Sequence, residues 1–178
     1  MKYIYLIIFC FLFIKTEIKA NTPLKPFEFE ISLGGTYGID KYAGNKQIGP
    51  AFALEGRYNF CSNPIDIGME LYGGSTARNY EASNLSNRIL SLSAFSDYNF
   101  RRGKKFSPFI GIGVGIASYK VVQGYYGDDA VKAIFTPRFG CELFNHIRIT
   151  AYSRLGYKGY NNIGLSVGYA FGGGKRKD

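Results

Sequence analysis

Eight stretches of the chain alternate apolar and polar residues, and the apolar side of all eight carries no charge. They are residues 27–37, 51–60, 65–74, 88–100, 106–119, 133–144, 147–157 and 163–171. A period of two is the signature of a strand whose faces meet different surroundings. The apolar parity runs Phe27 to Tyr37, Phe52 to Phe60, Ile65 to Gly73, Leu90 to Phe100, Phe106 to Ser118, Phe135 to Leu143, Ile147 to Tyr157 and Ile163 to Phe171. None of these positions is Asp, Glu, Lys or Arg. A charge facing lipid near mid-bilayer costs roughly 2–4 kcal/mol, and that penalty accounts for so complete an exclusion. Each stretch is close to the ~9–11 residues a tilted strand needs to cross a bilayer. The expected fold is all-β: an eight-stranded, antiparallel, up-and-down transmembrane barrel.

The opposite parity decides which face is inside. It holds Glu28, Glu30, Glu55, Arg57, Asp66, Glu70, Asp97, Arg138, Glu142, Arg148 and Arg154, interleaved with Gly34, Gly68, Gly111, Gly113, Gly115, Gly140, Gly156, Gly164 and Gly168. On the outside of a soluble barrel so much glycine would weaken strands for no packing gain. Inside a narrow eight-stranded barrel side chains fill the lumen, and glycine on one strand makes room for a long side chain from another. The charged face is therefore expected to point inward. Buried charges must be paired, so the lumen is expected to hold arginine–carboxylate contacts. Around the sixth connection Glu142 falls opposite Arg148, and across the first loop Glu30 falls opposite Arg57. Gly113 is expected beside Arg138, which then crosses towards Glu55 or Glu70, two glutamates that otherwise face each other. Lumen carboxylates outnumber arginines, and the excess (Glu28, Asp66 and Asp97) is expected at the wet periplasmic mouth.

Connections alternate in length. "GIDKYAGNKQIGP", "STARNYEASNLSN", "KVVQGYYGDDAVK" and "KGYNN" read as polar loops, whereas "CSNP", "RRGKK" and "NH" read as tight turns. Outward aromatics gather at both ends: Phe27, Tyr58, Phe60, Tyr98, Phe100, Phe106, Tyr169 and Phe171 beside the tight turns, and Tyr37, Phe52, Phe135 and Tyr157 beside the loops. Two aromatic belts around an aliphatic band suit interfacial anchoring.

Residues 1–20 stand apart. Lys2 precedes the apolar run "YIYLIIFCFLFI", and Ala20 ends a stretch shaped like a secretory signal peptide. Residues 21–171 then form the barrel and 172–178 a basic periplasmic tail. With 15 Tyr, 15 Phe and 23 Gly, composition leans to β structure. The formal charge is +9, and removing Lys2, Lys15, Lys19 and Glu17 lowers it by two. Export makes nucleic acid a poor partner, and no basic helix is visible. The runs "RRGKK" and "KRK" read as solvated ends.

Three stretches carry a resemblance: "YNFCSNPIDIGMELYGG" (58–74), "YNFRRGKKFSPFIGIGVGIASY" (98–119) and "NNIGLSVGYAFGGGKRK" (161–177). The chain resembles the small eight-stranded outer-membrane β-barrel family, the porin-family group that includes the barrels of outer membrane proteins A and X. The resemblance implies residence in the outer membrane, periplasmic termini, and contact with lipid and lipopolysaccharide. It also implies insertion by the barrel assembly machinery, reading a last strand that ends in Tyr169 and Phe171. Seven residues follow Phe171, which departs from the simplest pattern.

Chemistry is thin. "GIGVG" (111–115) lacks the third glycine and the helix of a dinucleotide site. The sole histidine, His146, sits in a tight turn with no serine arranged as its nucleophile partner. Cys61 and Cys141 lie on opposite sides of the ring, beyond disulfide reach. No catalytic residue, cofactor or metal is expected. Tyr125, Tyr126, Asp128 and Asp129 are candidates for contact with a surface partner, beside the plainer reading of a solvated loop tip. The leading expectation is a monomeric, non-enzymatic surface barrel whose loops contact external partners or lipopolysaccharide. A narrow channel or carrier for a small solute is the alternative, and a soluble periplasmic ligand-binding barrel the third.

Overall fold

A computed structural model describes residues 25–40, 48–60, 63–80, 83–123 and 126–172. Residues 1–20, expected as an export signal, and nearly all of 172–178 lie outside the described residues, as do Cys61 and Tyr125. Eight strands follow in chain order: β1 (Phe27–Gly38), β2 (Ile48–Asn59), β3 (Ile65–Tyr80), β4 (Ser83–Asn99), β5 (Phe106–Gln123), β6 (Tyr126–Leu143), β7 (Ile147–Arg154) and β8 (Asn162–Phe171). Each pairs antiparallel with the next, and β1 pairs with β8 from Phe29↔Phe171 to Gly38↔Asn162, closing the barrel. Closure removes every edge within the band where the wall is continuous.

The burial pattern is the reverse of a water-soluble core. Ile112 is 55% exposed and Leu165 56%, whereas Arg148 and Arg154 are 1% and 0% exposed. Outward positions of β5 from Phe106 to Ser118 span about 30 Å along the barrel axis, taking ~3.3 Å per residue and a tilt near 40°. That height matches a bilayer's hydrocarbon core, and a continuous apolar wall of this extent suits lipid rather than water.

Three differences from the sequence reading concern the ends. The stretches 75–87 and 120–132, read as polar loops, are mostly strand: β3–β4 and β5–β6 are joined across residues 81–82 and 124–125 alone. Their ladders continue to Tyr80↔Ser83 and Gln123↔Tyr126. Beyond the lipid band both faces of a hairpin can be polar, so polarity there does not end a strand, and Tyr80, Val121, Val122 and Tyr126 keep its propensity. The wall is consequently taller over β3–β6 than over β1, β2, β7 and β8. Strand β7 stops at Arg154, with Leu155 keeping one bridge to Phe135. The sixth turn is centred on Phe144 and Asn145, not on "NH". Both have positive φ (54° and 61°), and the His146 amide donates to Leu143 O at 3.1 Å. Two consecutive left-handed residues are what a two-residue hairpin of matching twist requires.

The lipid-facing wall sets an expectation. Ile112→Arg should reduce the free energy of folding in lipid vesicles by roughly 2–4 kcal/mol. Urea titration of the refolded protein would measure it; folding as stable as wild type would mean the faces are inverted.

Candidate functional site

The lumen is where the chain's charged residues converge. Register places them in steps along the barrel. Glu28 of β1 faces Arg57 of β2, and Glu30 faces Glu55, so Glu30 does not stand opposite Arg57 as its sequence position suggested. The Arg57 guanidinium nevertheless spans both, donating through Nε to Glu28 at 3.1 Å and through Nη2 to Glu30 at 3.2 Å. Glu55 faces Glu70 across β2–β3, and Glu142 faces Arg148 across β6–β7. Arg138 faces Gly111 rather than Gly113, which lies opposite Thr136.

Gly111 explains how the centre is built. Asp97 of β4, Gly111 of β5 and Arg138 of β6 stand in one cross-strand row. A Cβ on Gly111 would collide with the Asp97 carboxylate, so the missing side chain lets Asp97 lie over β5 and reach β6. Arg138 donates to Asp97 through Nε (2.8 Å) and Nη2 (2.6 Å), and to Glu55 through Nη1 (2.9 Å) and Nη2 (3.3 Å). Its Nη1 also lies 3.8 Å from Glu70. Arg148 reaches the same Asp97 from the other side, with Glu30 at 3.8 Å and Glu142 at 3.9 Å. Arg154 donates to Glu70 at 2.7 Å and to Ser91 at 3.2 Å.

The result is one connected chain of ion pairs: Glu28, Arg57, Glu30, Arg148, Asp97, Arg138, Glu55 and Glu70, Arg154, with Glu142 on Arg148. Asp97, assigned above to the wet mouth, is instead 1% exposed at the centre. Two arginines and the gap over Gly111 draw it in. Asp66 does lie near the tight-turn mouth, where Asn99 and Arg102 hold it. Arg102 was read as part of a solvated run. Its guanidinium instead turns back to the carbonyls of Phe60 (2.8 Å) and Asn63 (2.6 Å) and to Asp66, a fifth arginine against the carboxylates.

Aromatic rings inside the lumen are the feature the sequence reading missed. Arg138 lies 3.6 Å over the ring of Phe95, Arg148 3.6 Å over Phe109, and Arg154 3.5 Å over Tyr72. The guanidinium planes thus meet a π-face on one side and carboxylates at the edge, a geometry arginine offers and lysine does not. Each ring needs a glycine beside it. An added Cβ on Gly68 would strike Phe95, on Gly140 Phe109, on Gly164 Tyr152, and on Gly74 Tyr72. The signal was present: Tyr72, Phe95, Phe109, Tyr119 and Tyr152 are aromatics on the polar parity, three of them directly opposite a glycine.

Tyrosines close the long-connection end. Tyr72 and Tyr152 pack edge to face at 5.6 Å, with hydroxyls 3.3 Å apart. Tyr157, expected in the lipid-facing belt, folds inward instead, 5.3 Å from the Tyr119 ring and stacked on Tyr160 at 4.6 Å. Asp40 fixes that connection by accepting from the amides of Gly159 (3.0 Å) and Asn161 (3.3 Å). At the tight-turn mouth the void among Glu28, Asp66, Glu142 and Arg102 is only ≈ 10 Å³, room for about one water.

The remaining candidates lie on the outside. Tyr169 and Phe171 belong to the lower aromatic girdle, their rings 4.9 Å apart, with His146 stacked on Tyr169. His146 Nδ1 lies 3.0 Å from Ala170 O, which ties that ring to the last strand. Tyr126 and Asp128 are in β6 opposite Gln123 and Val121. Asp129 faces Lys120 at 4.0 Å on the exposed wall. Cys141 is a half-buried free thiol. Among the described residues no His, Cys, Asp and Glu group is arranged to hold a metal.

No family model matches the chain, and no curated protein matches it in sequence. Solved structures do. Neisserial surface protein A aligns at TM-score 0.65 and 15% identity, over 83% of this chain and 97% of that one. Ail, the attachment invasion locus protein of Yersinia pestis, in complex with the heparin analogue sucrose octasulfate, aligns at 0.53 and 16%, over 82% and 99%. The N-terminal β-barrel domain of Pseudomonas aeruginosa OprF aligns at 0.50 and 17%, over 81% and 97%. This chain has the fold of the small eight-stranded outer-membrane barrels. At these identities the likeness is one of backbone, and the lumen described above is this chain's own.

The network has a measurable weight. Arg138→Ala leaves Asp97, Glu55 and Glu70 buried beside one another and should cost about 3–5 kcal/mol. Lys120→Ala, which removes an exposed pair, should cost about 0–1 kcal/mol. Urea unfolding of both variants in vesicles would compare them; equal losses would deny the lumen network its role.

Proposed function

We propose that the protein is a non-enzymatic barrel of the outer membrane that presents its tall β3–β6 end to external partners. The observation that carries this reading is the filled lumen. An arginine–carboxylate chain runs through it, tyrosines close one end, and a void of ≈ 10 Å³ sits at the other. With the interior committed to packing, interaction falls to the ends. Residues 1–20 act as the export signal and 172–178 as a periplasmic tail, while Tyr169 and Phe171 present the assembly machinery with the end of β8. The barrel works as a monomer in lipid and lipopolysaccharide.

The long-connection end suits recognition. Strand β3 continues past Gly74, where β2 stops pairing with it, and β6 continues well before Arg138, where the β7 ladder begins. Cations stand exposed there: Arg88, Lys120, Lys132 and Lys158. They suit an anionic partner, such as a lipopolysaccharide phosphate or a sulfated sugar of the type bound in the Ail complex.

Two measurements test the reading. An epitope placed within 78–86 should be reachable by antibody on intact cells, and one at 102–104 should not; the reverse pattern would invert the orientation. In planar bilayers the wild-type protein should show no steady channel. Sizeable steady conductance would instead favour the channel or carrier.

A further inference from the structure

We propose that the tight-turn rim of the barrel is a docking surface for anionic phospholipid headgroups. The inference deepens the membrane reading above, on which it rests, and concerns the end opposite to the one proposed for external partners.

The first observation is a segregation of charge. At this end the carboxylates Glu28, Asp66 and Glu142 all point into the lumen, where Arg57, Arg102 and Arg148 respectively hold them. What remains outside is cationic: Lys25, Arg101, Lys104 and Lys105 are exposed. None of the four makes an ion pair among the described residues. A solvated face usually mixes both signs, so a rim from which the acids have been drawn inward favours an anionic neighbour.

The second observation is depth. Arg101 directly follows Phe100, Lys105 directly precedes Phe106, and Lys25 stands two residues ahead of Phe27. Phe27 and Phe100 belong to rows of touching rings, Phe27 on Tyr58 at 5.1 Å, Tyr58 on Phe60 at 5.2 Å and Tyr98 on Phe100 at 5.1 Å, and Phe106 is exposed on the same outer face. Aromatic girdles sit at the membrane–water interface. One or two residues beyond, at ~3.3 Å each, lies the level of the headgroup phosphates.

The third is preorganisation. The turn 101–105 is pinned from within, because Arg102 bonds the carbonyls of Phe60 and Asn63. The Lys104 amide donates to Arg101 O at 3.2 Å, and the Phe144 amide of the neighbouring turn donates to Lys105 O at 2.8 Å. One arginine of "RRGKK" holds the turn while Arg101, Lys104 and Lys105 are left facing out. A cation already fixed at headgroup depth loses little freedom on binding.

The full chain, refolded into phosphatidylcholine bilayers doped with phosphatidylglycerol, provides the test. Spin-labelled phosphatidylglycerol and phosphatidylcholine report the relative association of each lipid with the barrel. Wild type should prefer phosphatidylglycerol by at least roughly threefold, since each cation near an anionic surface contributes up to about fivefold. The preference should collapse in roughly 1 M salt, where screening is within about 3 Å. The variant K25Q/R101Q/K104Q/K105Q should lose it, and R88Q/K120Q at the other end should keep it. Equal association of both lipids with wild type, or the same loss in both variants, overturns the proposal. Should the quadruple variant fail to fold, K25Q/R101Q and K104Q/K105Q are tested separately: each should lower the preference, and an unchanged preference in both overturns the proposal. A chain that does not enter bilayers at all defeats the membrane reading instead, so the two failures are distinct.

Discussion

Everything inside this barrel depends on Asp97 being shared by two arginines. A carboxylate with 1% exposure in a narrow apolar-walled tube is costly unless charge and hydrogen bonds surround it. Arg138 and Arg148 supply both, from β6 and β7. Arg138 also bonds Glu55 and lies 3.8 Å from Glu70, and Arg148 lies 3.8 Å from Glu30 and 3.9 Å from Glu142, so further carboxylates gather on both sides. The chain therefore ties β1, β2, β3, β4, β6 and β7 together across the lumen, independently of the ladders around its wall. Hydrogen bonds in the wall fix strand order, and the lumen chain adds contacts between strands that the wall does not pair.

That chain is possible only because space was made for it. The rows Asp97–Gly111–Arg138, Gly68–Phe95 and Phe109–Gly140 follow one rule: a bulky lumen group on one strand lies over a glycine on the next. Shorter reach would leave charges stranded near their own backbones, unpaired at low dielectric. The rings add a second layer, since Phe95, Phe109 and Tyr72 each back a guanidinium and leave its edge free for carboxylates. Inward glycine is thus a packing residue here, and the loss of strand propensity it brings is offset by the contact it permits.

The wall was legible because lipid imposes one rule on every outward position: Ile31, Ile112 and Leu165 are apolar for the same reason, and a single parity exposes them all. Pairing in the lumen was less legible because it depends on register, which a slip of two residues preserves in parity while changing the partner. So Arg138 was set beside Gly113 rather than Gly111, and Glu30 opposite Arg57 rather than Glu55. Long side chains forgive part of this error, which is why Arg57 still touches Glu30. Arg102 was invisible for another reason: its neighbours Arg101, Lys104 and Lys105 are solvated, and nothing in composition distinguishes the one that turns back. The strand ends were misread because past the bilayer the rule that made strands readable no longer applies.

With acids inside and bases outside, the barrel's two ends acquire different characters from one arrangement. Drawing Glu28, Asp66 and Glu142 into the lumen neutralises arginines that would otherwise be unpaired there, and it strips the tight-turn rim of negative charge. At the other end the ion-pair chain stops at Arg154, stacked on Tyr72; beyond it Tyr119, Tyr152, Tyr157 and Tyr160 fill the mouth, and Asp40 binds amides of the covering connection. That end therefore needs no ionic balance with the lumen, and its hairpins lengthen freely beyond the wall. Residues above the tyrosine cap are constrained neither by lipid nor by the lumen, which makes them the part of the sequence most open to change without loss of the fold.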